Sequence, residues 1–394
     1  MRILRVIASV DPRQGGPVQG LRSSAALLAQ AGHSTEVVSL DDPSADFVAD
    51  FPVKVHGQGP TPKRYGYTPK VSRWIGENAE RFDVAVVHGV WNHATIAGWQ
   101  ALKRAGLPYV NFTHGALDPW FREAYPLKHW AKQVFWLAAQ GWVLRDAYRV
   151  LFTSEEEMRL ARSAFIGPGY RARTVAYGAA PPPPRSEAQQ TQFLELTPGV
   201  RGRKYLLFLS RIHPKKGCDL LIEAFIQRAN DHPDLDLVIA GPDQVGLRAA
   251  FEDRAHKAGL AHRIHWPGML QGDAKWGAFR GAEAFVLPSH SENFGIVVAE
   301  ALACGTPVLI SDKVNIWREI AGRGAGLVAP NTIEGTSRLL GDFLALSTGQ
   351  VVDLRMNAIE CFEACLSMEG AARELESVLM EAIAARRPTA GNIW

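Results

Sequence analysis

Residues 284–311 form one continuous strand–loop–helix–strand pattern, AFVLPSHSENFGIVVAEALACGTPVLIS. Ala284–Pro288 and Pro307–Ser311 are short apolar runs, typical of strands that are buried on both faces of a parallel sheet. Between them, a polar loop leads into an apolar helix that we expect to begin within Asn293–Ile296 and to end at Gly305, a residue type that commonly follows a helix. Parallel strands need a crossover of this kind, so the pattern predicts a βαβ unit.

The same alternation of strand-like and helix-like segments runs along the rest of the chain. Further strands are predicted at Ile3–Ser9, Glu36–Leu40, Val84–His88, Tyr109–Thr113, Arg149–Thr153, Tyr205–Leu209, Leu235–Ala240 and Ile264–Trp266. Helix-like segments between them include Gln19–Ala31, Pro126–Tyr148 and Cys218–Ala229. Because the α/β alternation begins twice, we predict two doubly wound, Rossmann-like domains that face each other across a cleft.

Four consecutive prolines at Pro181–Pro184 mark the boundary between these domains. Consecutive prolines favour an extended connector and cannot continue a helix, and the next residues, Arg185–Gln192, are polar. We place the first domain at 1–180, the second at 200–370 and a C-terminal helical segment at 371–394. Pro43–Lys70 is rich in proline, glycine and charge, which predicts long surface loops.

Composition and charge exclude several classes of protein. The 394 residues are 47% hydrophobic and 21% charged, so a disordered or fibrous chain is excluded. A formal net charge of +3 is too small for a dedicated nucleic-acid-binding protein, and we expect no nucleic-acid partner. Four cysteines in a chain of this length do not suggest a disulfide framework, and no run resembles a signal peptide or membrane span. We therefore expect a cytoplasmic protein.

Two acidic residues accompany the helix predicted near Ile296. Glu292 lies in the preceding loop and Glu300 lies within the helix. The first backbone N–H groups of a helix and its positive dipole end favour an anion, whereas carboxylates accept hydrogen bonds from vicinal hydroxyls. A diphosphate flanked by two polyhydroxylated rings would satisfy all of these groups. For either acid alone, the alternative is an ordinary solvated side chain.

A second candidate, Ser210–Gly217, follows the first strand of the second domain and contains Arg211 and Lys216. A diphosphate leaving group gains negative charge as its bond to a sugar breaks. Arginine and lysine can neutralise that charge, the first through a fork of donors and the second as a mobile point charge. The alternative is a solvated basic loop.

The first domain offers two weaker candidates. Gly15 and Gly16 follow its first strand and could let the backbone approach a ligand, although a plain turn is the alternative and the spacing is not the dinucleotide fingerprint. His114 ends another strand and could hydrogen-bond a sugar hydroxyl or act as a base. For His88 and His93 we favour structural hydrogen bonds, although His88 also ends a strand and could line the acceptor side.

Acidic pairs elsewhere do not suggest a metal site. Asp234 and Asp236 have an acid-x-acid spacing, but Asp236 falls inside a strand and Asp234 precedes it, at the wrong end for a site in this fold. Asp41 and Asp42 precede Pro43, which favours a turn. We predict no metal ion and no cofactor.

Together these motifs resemble the retaining GT-B glycosyltransferases of family 4, most strongly over Tyr205–Val328. Glu292 and Glu300 match the family's E-x7-E motif, and Arg211 and Lys216 match its diphosphate-binding pair. The resemblance implies that Glu292 contacts hydroxyls of the donor sugar and that Glu300 contacts those of the ribose. It also implies that the C-terminal helix crosses back to the N-terminal domain.

The resemblance extends to smaller segments. Gly15 and Gly16 match the family's N-terminal glycine loop, and His114 matches its cleft histidine. The backbone of Phe294–Ile296 would hold the distal phosphate, and Pro267–Leu270 would hold the nucleobase. The implied donor-binding residues are Gly15, Gly16, Arg211, Lys216, Gly268, Met269, Glu292, Asn293, Phe294, Gly295, Ile296 and Glu300; the implied catalytic residues are Glu292, His114, Arg211 and Lys216.

The implied reaction is the transfer of a hexose, with retention, from a UDP- or GDP-linked donor to a hydroxyl of a sugar acceptor. Enzymes of this type commonly act on lipid-linked acceptors in bacterial exopolysaccharide or O-antigen synthesis. The alternatives are a GT-B epimerase or phosphorylase, and a non-catalytic nucleotide-sugar-binding module.

The stretch that begins at Asp118–Arg122 is rich in tryptophan and cations. It contains Lys128, Trp130, Lys132, Trp136, Trp142 and Arg145. A basic helix with aromatic side chains can lie on an anionic membrane surface, here the cytoplasmic face of the inner membrane. The alternative, a core helix with a few solvated charges, is the one that we favour.

Overall fold

The computed structural model describes residues 1–61, 65–119, 122 and 125–386. The chain divides into two compact units, which are described separately. The N-terminal unit comprises residues 1–177 and the segment from Met368, and the C-terminal unit comprises residues 178–367. Each unit contains one parallel sheet. The predicted pair of Rossmann-like domains is therefore confirmed. Trp120, Phe121 and residues 387–394 lie outside the described residues.

The sheet of the N-terminal unit has seven strands in the order β3-β2-β1-β4-β5-β6-β7. Its strands are β1 Arg2–Val6, β2 Ser34–Ser39, β3 Val55–Gly57, β4 Val84–His88, β5 Tyr109–Phe112, β6 Val150–Phe152 and β7 Ala172–Thr174. The central strands β1 and β4 are buried along nearly their whole length, as their apolar sequences predict. The short strands β3 and β7 lie at the two edges, where a few partly buried residues complete the sheet.

Helices cover this sheet and connect its strands. They are α1 Gly16–Gln30, α2 Asp46–Ala49, α3 Lys70–Asn78, α4 His93–Arg104, α5 Pro126–Phe135, α6 Gly141–Asp146, α7 Glu155–Ala161 and the C-terminal helix α16 Met368–Arg386. Leu375, Val378 and Leu379 of α16 pack against Val84 and Val110 in the core of the N-terminal unit.

The helix predicted over Pro126–Tyr148 is interrupted in the structure. A π-helical turn, Trp136–Gln140, separates α5 from α6. Within this turn the Trp136 ring is buried, and the buried side-chain oxygen of Gln140 accepts a 3.0 Å hydrogen bond from the backbone N–H of Trp91. Such turns commonly mark a functional or packing constraint, and this one aims a polar side chain at a neighbouring loop.

The sheet of the C-terminal unit has six parallel strands in the order β10-β9-β8-β11-β12-β13. Its strands are β8 Lys204–Leu209, β9 Leu235–Ala240, β10 Ile264–Gly268, β11 Ala284–Leu287, β12 Val308–Ser311 and β13 Gly326–Ala329. Its helices are α8 Glu187–Leu196, α9 Cys218–Arg228, α10 Arg248–Lys257, α11 Gly272–Gly281, α12 Ile296–Ala303, α13 Trp317–Gly322, α14 Ile333–Leu344 and α15 Thr348–Cys361, and a π-helical turn, Phe362–Leu366, follows α15.

Two segments differ from their sequence-based expectations. The polar stretch after the prolines contains most of α8, which Ser186 and Gln189 start with a reciprocal capping box and whose Phe193 is fully buried. Residues 43–70, predicted as loops, contain the short elements α2 and β3. In both cases tertiary packing adds an element to a polar sequence.

The loops that follow β8 and β11 are in direct contact because these strands are neighbours in the sheet. The first loop ends at Gly217, which has a left-handed φ of 70° and caps α9. A Cβ atom here would lie 2.1 Å from the carbonyl oxygen of Pro288, directly after β11. Nearby, the backbone N–H of His290 donates to the carbonyl of Lys215 at 2.8 Å. This close approach therefore requires glycine at position 217.

We expect Gly217→Ala to lower the free energy of unfolding by at least about 2 kcal/mol more than Gly246→Ala does. Both glycines have positive φ, at 70° and 76°, but the space around a Cβ at Gly246 is open. The control therefore measures the backbone cost alone, about 1–2 kcal/mol, and the difference measures the clash with Pro288. Urea denaturation of the two variants gives the comparison, and equal losses of stability would contradict the assigned contact.

Candidate active site

In the C-terminal unit, the predicted acidic motif lies at the start of α12. Gly295 caps this helix with a left-handed φ of 73°. The loop before it is fixed to the segment that follows β12: the N–H of Glu292 donates to the carbonyl of Lys313 at 2.9 Å, and the N–H of Asn315 donates to the carbonyl of Glu292 at 3.0 Å. The helix tip and the Glu292 loop are therefore held by backbone bonds, which favours a preorganised binding surface.

Each acid of the E-x7-E motif pairs with a lysine. Lys216, from the loop after β8, forms a salt bridge with Glu292, and both side chains are more than four-fifths buried, at 11% and 17% exposure. Lys275 of α11 contacts Glu300 with its Nζ at 2.8 Å from Oε1, and its ammonium lies 4.1 Å from the Trp276 ring centroid. Lys216 was predicted as a site residue, whereas Lys275 was not.

The other predicted cation, Arg211, lies in the same loop as Lys216 and is exposed. Its Nη1 donates to Gln244 Oε1 at 2.9 Å, a partner that sequence reasoning missed. The pKa of His213 in this loop is lowered, first by burial and then by the positive charges of Arg211, Lys215 and Lys216. The loop thus concentrates positive charge beside the helix tip, as an anion-binding site requires.

The predicted nucleobase segment, Pro267–Leu270, comprises the end of β10 and the first residues after it. In the sheet, β10 is the neighbour of β9. Gly268 has a φ of 76°, and its carbonyl accepts a 2.7 Å hydrogen bond from the N–H of Gly241, which follows β9. Gly241 in turn packs against the carbonyl of Ser210 after β8. Met269 is 60% exposed. The loops after β10, β9 and β8 therefore form a continuous series along the carboxyl edge of the sheet.

Asp234 and Asp236, which have the acid-x-acid spacing, both pair with basic residues. Asp236 is buried and accepts two hydrogen bonds from Arg203, at 2.6 and 2.8 Å. His265 Nε2 lies 2.8 Å from Asp236 Oδ2. Asp234 is exposed and lies 3.5 Å from Lys204 Nζ. These contacts give Asp236 a structural role within the sheet.

In the N-terminal unit, the glycine pair lies at the start of α1. Gly15 caps this helix with a φ of 75°, and the space beside both Gly15 and Gly16 is open. The hydroxyl of Tyr177 donates to the carbonyl of Gly16. A ligand can therefore approach the backbone at Gly15 and Gly16, and the hydrogen bond from Tyr177 fixes the position of this backbone.

His114 follows β5 and belongs to a buried chain of polar side chains. Arg5 Nη1 lies 3.4 Å from His88 Nε2, and His88 Nδ1 lies 3.0 Å from His114 Nε2. Because arginine can only donate, His88 Nε2 is the acceptor and its Nδ1 carries the proton that is donated to His114. His114 then carries its own proton on Nδ1. Burial and the charge of Arg5 lower the pKa of His114 to about 4, which favours a role as a neutral hydrogen-bond donor over a role as a base.

Glu157 fixes the loop that carries His114. Its carboxylate accepts hydrogen bonds from Thr113 Oγ1 at 3.0 Å, from Gly115 N at 2.7 Å, and from both N and Oγ1 of Thr153 at 2.7 Å. His114 itself has a left-handed φ of 51°, which is unfavourable for a residue with a side chain. The buried carboxylate therefore stabilises a strained loop. This role could not be predicted from the position of Glu157 in the first turn of α7.

We expect the two buried histidines to make the unfolding free energy pH-dependent. Burial, Arg5 and His114 lower the pKa of His88, and that of His114 is also lowered, so the unfolded chain binds protons more readily than the folded chain. The histidines should not reduce the free energy of unfolding above about pH 6.5, the ordinary pKa of histidine. As the pH decreases from there to 5, the free energy of unfolding should fall by about 1–2 kcal/mol per histidine.

Thermal unfolding between pH 7.5 and 5 tests this expectation. The double variant His88→Asn/His114→Asn should lose less stability over this range than the wild type, whereas the exposed His256→Asn should behave as the wild type does. Parallel pH profiles for the wild type and the double variant would contradict the proton linkage.

Comparisons with known proteins show the family to which the chain belongs. Residues 15–178 match the family described as "Glycosyl transferase 4-like domain", and residues 197–360 match "Glycosyl transferases group 1". A D-inositol 3-phosphate glycosyltransferase from Gordonia bronchialis is 29% identical over 242 residues, 59% of this chain and 52% of that protein. The lipopolysaccharide core biosynthesis mannosyltransferase LpsB from Rhizobium meliloti is 30% identical over 207 residues, 46% of this chain and 57% of that protein.

Solved structures show the same fold at low sequence identity. HepE from Anabaena in complex with UDP aligns with a TM-score of 0.74 at 18% identity, covering 97% of this chain and all of that one. Sucrose-phosphate synthase from Thermosynechococcus elongatus aligns with a TM-score of 0.70 at 19% identity, covering 98% and 100%. The curated relatives above are matched over only about half to three-fifths of their own length. Since the two family matches together span most of both units, the chain belongs to the GT-B glycosyltransferases of the family 4 type.

Proposed function

We propose that this protein is a retaining glycosyltransferase that transfers a hexose from a UDP- or GDP-linked donor to a hydroxyl of a sugar acceptor. The observation that carries the proposal is the arrangement at the start of α12. There, Lys216 pairs with Glu292, Lys275 pairs with Glu300, and a basic loop adjoins a helix tip. The cations and the backbone amides can bind a diphosphate, and the two acids can accept hydrogen bonds from the hydroxyls of the two rings that flank it. We assign donor binding to the C-terminal unit and acceptor binding to the N-terminal unit.

Each part of the donor has matching groups in the C-terminal unit. The N-terminal amides of α12, together with Arg211 and Lys216, bind the diphosphate. Glu292 accepts hydrogen bonds from the hexose hydroxyls, and Glu300 accepts them from the ribose. The loop at Gly268 and Met269 contacts the base. Structures of HepE with UDP and with UDP-glucose support a nucleoside diphosphate sugar as the ligand class.

The charge distribution supports departure of a diphosphate as the chemical step. The bond from the anomeric carbon to the phosphate oxygen breaks, and the bond from that carbon to the acceptor oxygen forms on the same face. The acceptor's proton passes to the departing phosphate oxygen. Arg211, Lys216 and the helix tip stabilise the charge that develops there, and such electrostatic stabilisation is usually the largest single contribution to catalysis. His114 donates its Nδ1 hydrogen to a sugar hydroxyl.

For the acceptor, we propose a lipid-linked saccharide in bacterial exopolysaccharide or O-antigen synthesis. The name of LpsB places that relative in lipopolysaccharide core biosynthesis, which is consistent with assembly of a cell-surface polysaccharide.

We expect Glu292→Gln, Arg211→Ala and Lys216→Ala each to lower turnover at least about tenfold, near 1.4 kcal/mol in barrier terms. Each removes charge or hydrogen bonding from the donor site. Release of nucleoside diphosphate from a panel of UDP- and GDP-hexoses, with lipid-linked acceptors, gives the rate, and NMR of the product's anomeric proton gives the stereochemistry.

Lys257→Ala is the matched control, because Lys257 is exposed and pairs with Asp253 on α10. Full activity in any two site variants, with folding intact, would contradict the site assignment. A free-sugar product would indicate an epimerase, phosphate-dependent cleavage a phosphorylase, and donor binding without turnover a binding module.

The core helix that we favoured from the sequence is not found over α5, none of whose side chains is buried. We propose instead that an exposed face of α5 and of the π-helical turn that follows it contacts an anionic membrane surface. Leu127, Trp130, Val134 and Leu137 are exposed at helical spacing, by 88%, 72%, 50% and 51%. Residues 122–145 contain four cations and a single acid, so the surrounding charge favours an anionic bilayer. Within the described part of the chain, no helix is long and apolar enough to span a bilayer.

Flotation with anionic phosphatidylglycerol-containing liposomes at low salt tests the membrane contact. The wild type should float, and Leu127→Ser/Trp130→Ser should reduce the floating fraction at least about threefold because it removes the apolar contact. Val352→Ser changes an exposed apolar residue of α15, outside this face, and is the control. Equal flotation of all three proteins would contradict the contact.

A further inference from the structure

A large cavity of the N-terminal unit lies at the carboxyl ends of three adjacent strands. Its volume is about 1030 Å³, at the upper end of the usual range for small-molecule sites. Ser9 follows β1, Asp41 follows β2 and Trp91 follows β4, and all three line it. This edge of an open α/β sheet is where ligands bind. None of the predicted site residues lines this cavity.

One wall of the cavity is basic. Lys128, His129 and Lys132, spaced at i, i+1 and i+4, present one face of α5 to the cavity. The pKa of His129 is lowered by burial and then by the positive charges of Arg122 and Lys132. The wall therefore concentrates positive charge, and an anion bound there would relieve the repulsion.

The wall formed by the strand ends suits hydroxyl groups. Asp41 is buried, and its Oδ2 accepts a 2.8 Å hydrogen bond from the N–H of Val10, which fixes the carboxylate at the cavity surface. Ser9 and Asn92 add further polar groups. Carboxylate and hydroxyl groups are typical partners of sugar hydroxyls, and here they lie on different elements from the lysines.

Trp91 is held as a planar surface in this cavity. Its φ of 67° is left-handed, which is strained for a bulky residue. The strain is supported by hydrogen bonds from its N–H to Gln140 and from its indole Nε1 to the carbonyl of Ala116 at 3.3 Å. Lys132 Nζ lies 4.9 Å from the ring centroid. Strain of this kind, supported from a buried π-helical turn, is typical of a binding site.

This cavity adjoins the one at His114. A smaller cavity of about 180 Å³ is lined by Thr113 and His114, and it shares Ser9, Gln14 and Asn92 with the larger one. A ligand that occupies both would extend from the basic wall of α5 to the His114 loop.

From this arrangement we infer that the larger cavity binds the acceptor and that the acceptor is a phosphorylated saccharide. Lys128, His129 and Lys132 hold its phosphoryl group, Trp91 packs against the sugar ring, and Asp41 accepts hydrogen bonds from its hydroxyls. The inference rests on the proposed transferase function and deepens it by naming the acceptor's chemistry. The phosphoryl group can belong to a free sugar phosphate or to a diphosphate that links the sugar to a lipid.

Calorimetric titration of the full chain tests the inference. Glucose 1-phosphate, glucose 6-phosphate and a short-chain polyprenyl diphosphate-linked glucose are the phosphorylated probes, and glucose is the neutral one. At least one phosphorylated probe should bind ten times more tightly than glucose. Lys128→Met and Lys132→Met should each weaken that binding at least fivefold, and Lys132→Arg should restore most of it. Lys54→Met, an exposed lysine before β3 and outside the cavity, should leave it unchanged.

The outcomes separate the inference from the proposed function because UDP and GDP binding are measured on the same samples. If a nucleotide binds but no phosphorylated probe binds more tightly than glucose, or if the lysine variants bind that probe as the wild type does, the acceptor inference is wrong. Failure of every nucleotide and nucleotide sugar to bind would overturn the proposed function instead. Tight binding of only the lipid-linked probe, or only a free sugar phosphate, supports the inference and identifies the source of the phosphoryl group.

Discussion

The parallel pairing of β8 with β11 is the constraint on which the candidate donor site depends. It sets the loop after β8 against the loop after β11 so closely that Gly217 contacts the Pro288 carbonyl. Lys216, the residue just before that glycine, consequently reaches Glu292 across the two loops. Because the carboxyl ends of these strands point to one edge, a cation from one loop, an acid from the next and the tip of α12 converge without any loop being long.

The central strands and the helix α12 could be predicted from the sequence, because continuous apolar runs between polar loops specify strands that are buried on both faces. The edge strands β3, β7 and β13 could not, since each has only three or four residues and most of these are partly buried. Helix α8 was missed for a related reason: its polar sequence resembles a linker, and only the buried Phe193 and the contact with α11 show that it packs.

Some residues of the candidate site could likewise be predicted from the sequence, and others could not. Glu292 and His114, which follow strands, could be proposed from the sequence, Glu292 only together with Glu300 and the helix between them. Two of the supporting residues could not: Lys275, which pairs with Glu300, comes from α11, and Arg5, which supports the histidine chain, lies within β1. Glu157 shows that a local sequence pattern does not determine the long-range contacts of a side chain. Glu157 stands three residues after Ser154, the spacing of a capping box, and Ser154 does cap the helix. The carboxylate of Glu157, however, accepts hydrogen bonds from the strand ends around His114.

The helix α5 joins the two proposals made for the N-terminal unit. None of its described side chains is fully buried, so it contributes little to the core of that unit. Its period of 3.6 residues per turn instead places Lys128 and Lys132 on the face toward the cavity and Leu127 and Trp130 on the opposite face. A phosphoryl group that links a sugar to a lipid lies at the bilayer surface. A helix that lies on the bilayer with its apolar face, and lines the cavity with its basic face, would hold its lysines at the level of such a phosphoryl group. The same amphipathic pattern would therefore serve both the proposed membrane contact and the proposed acceptor site.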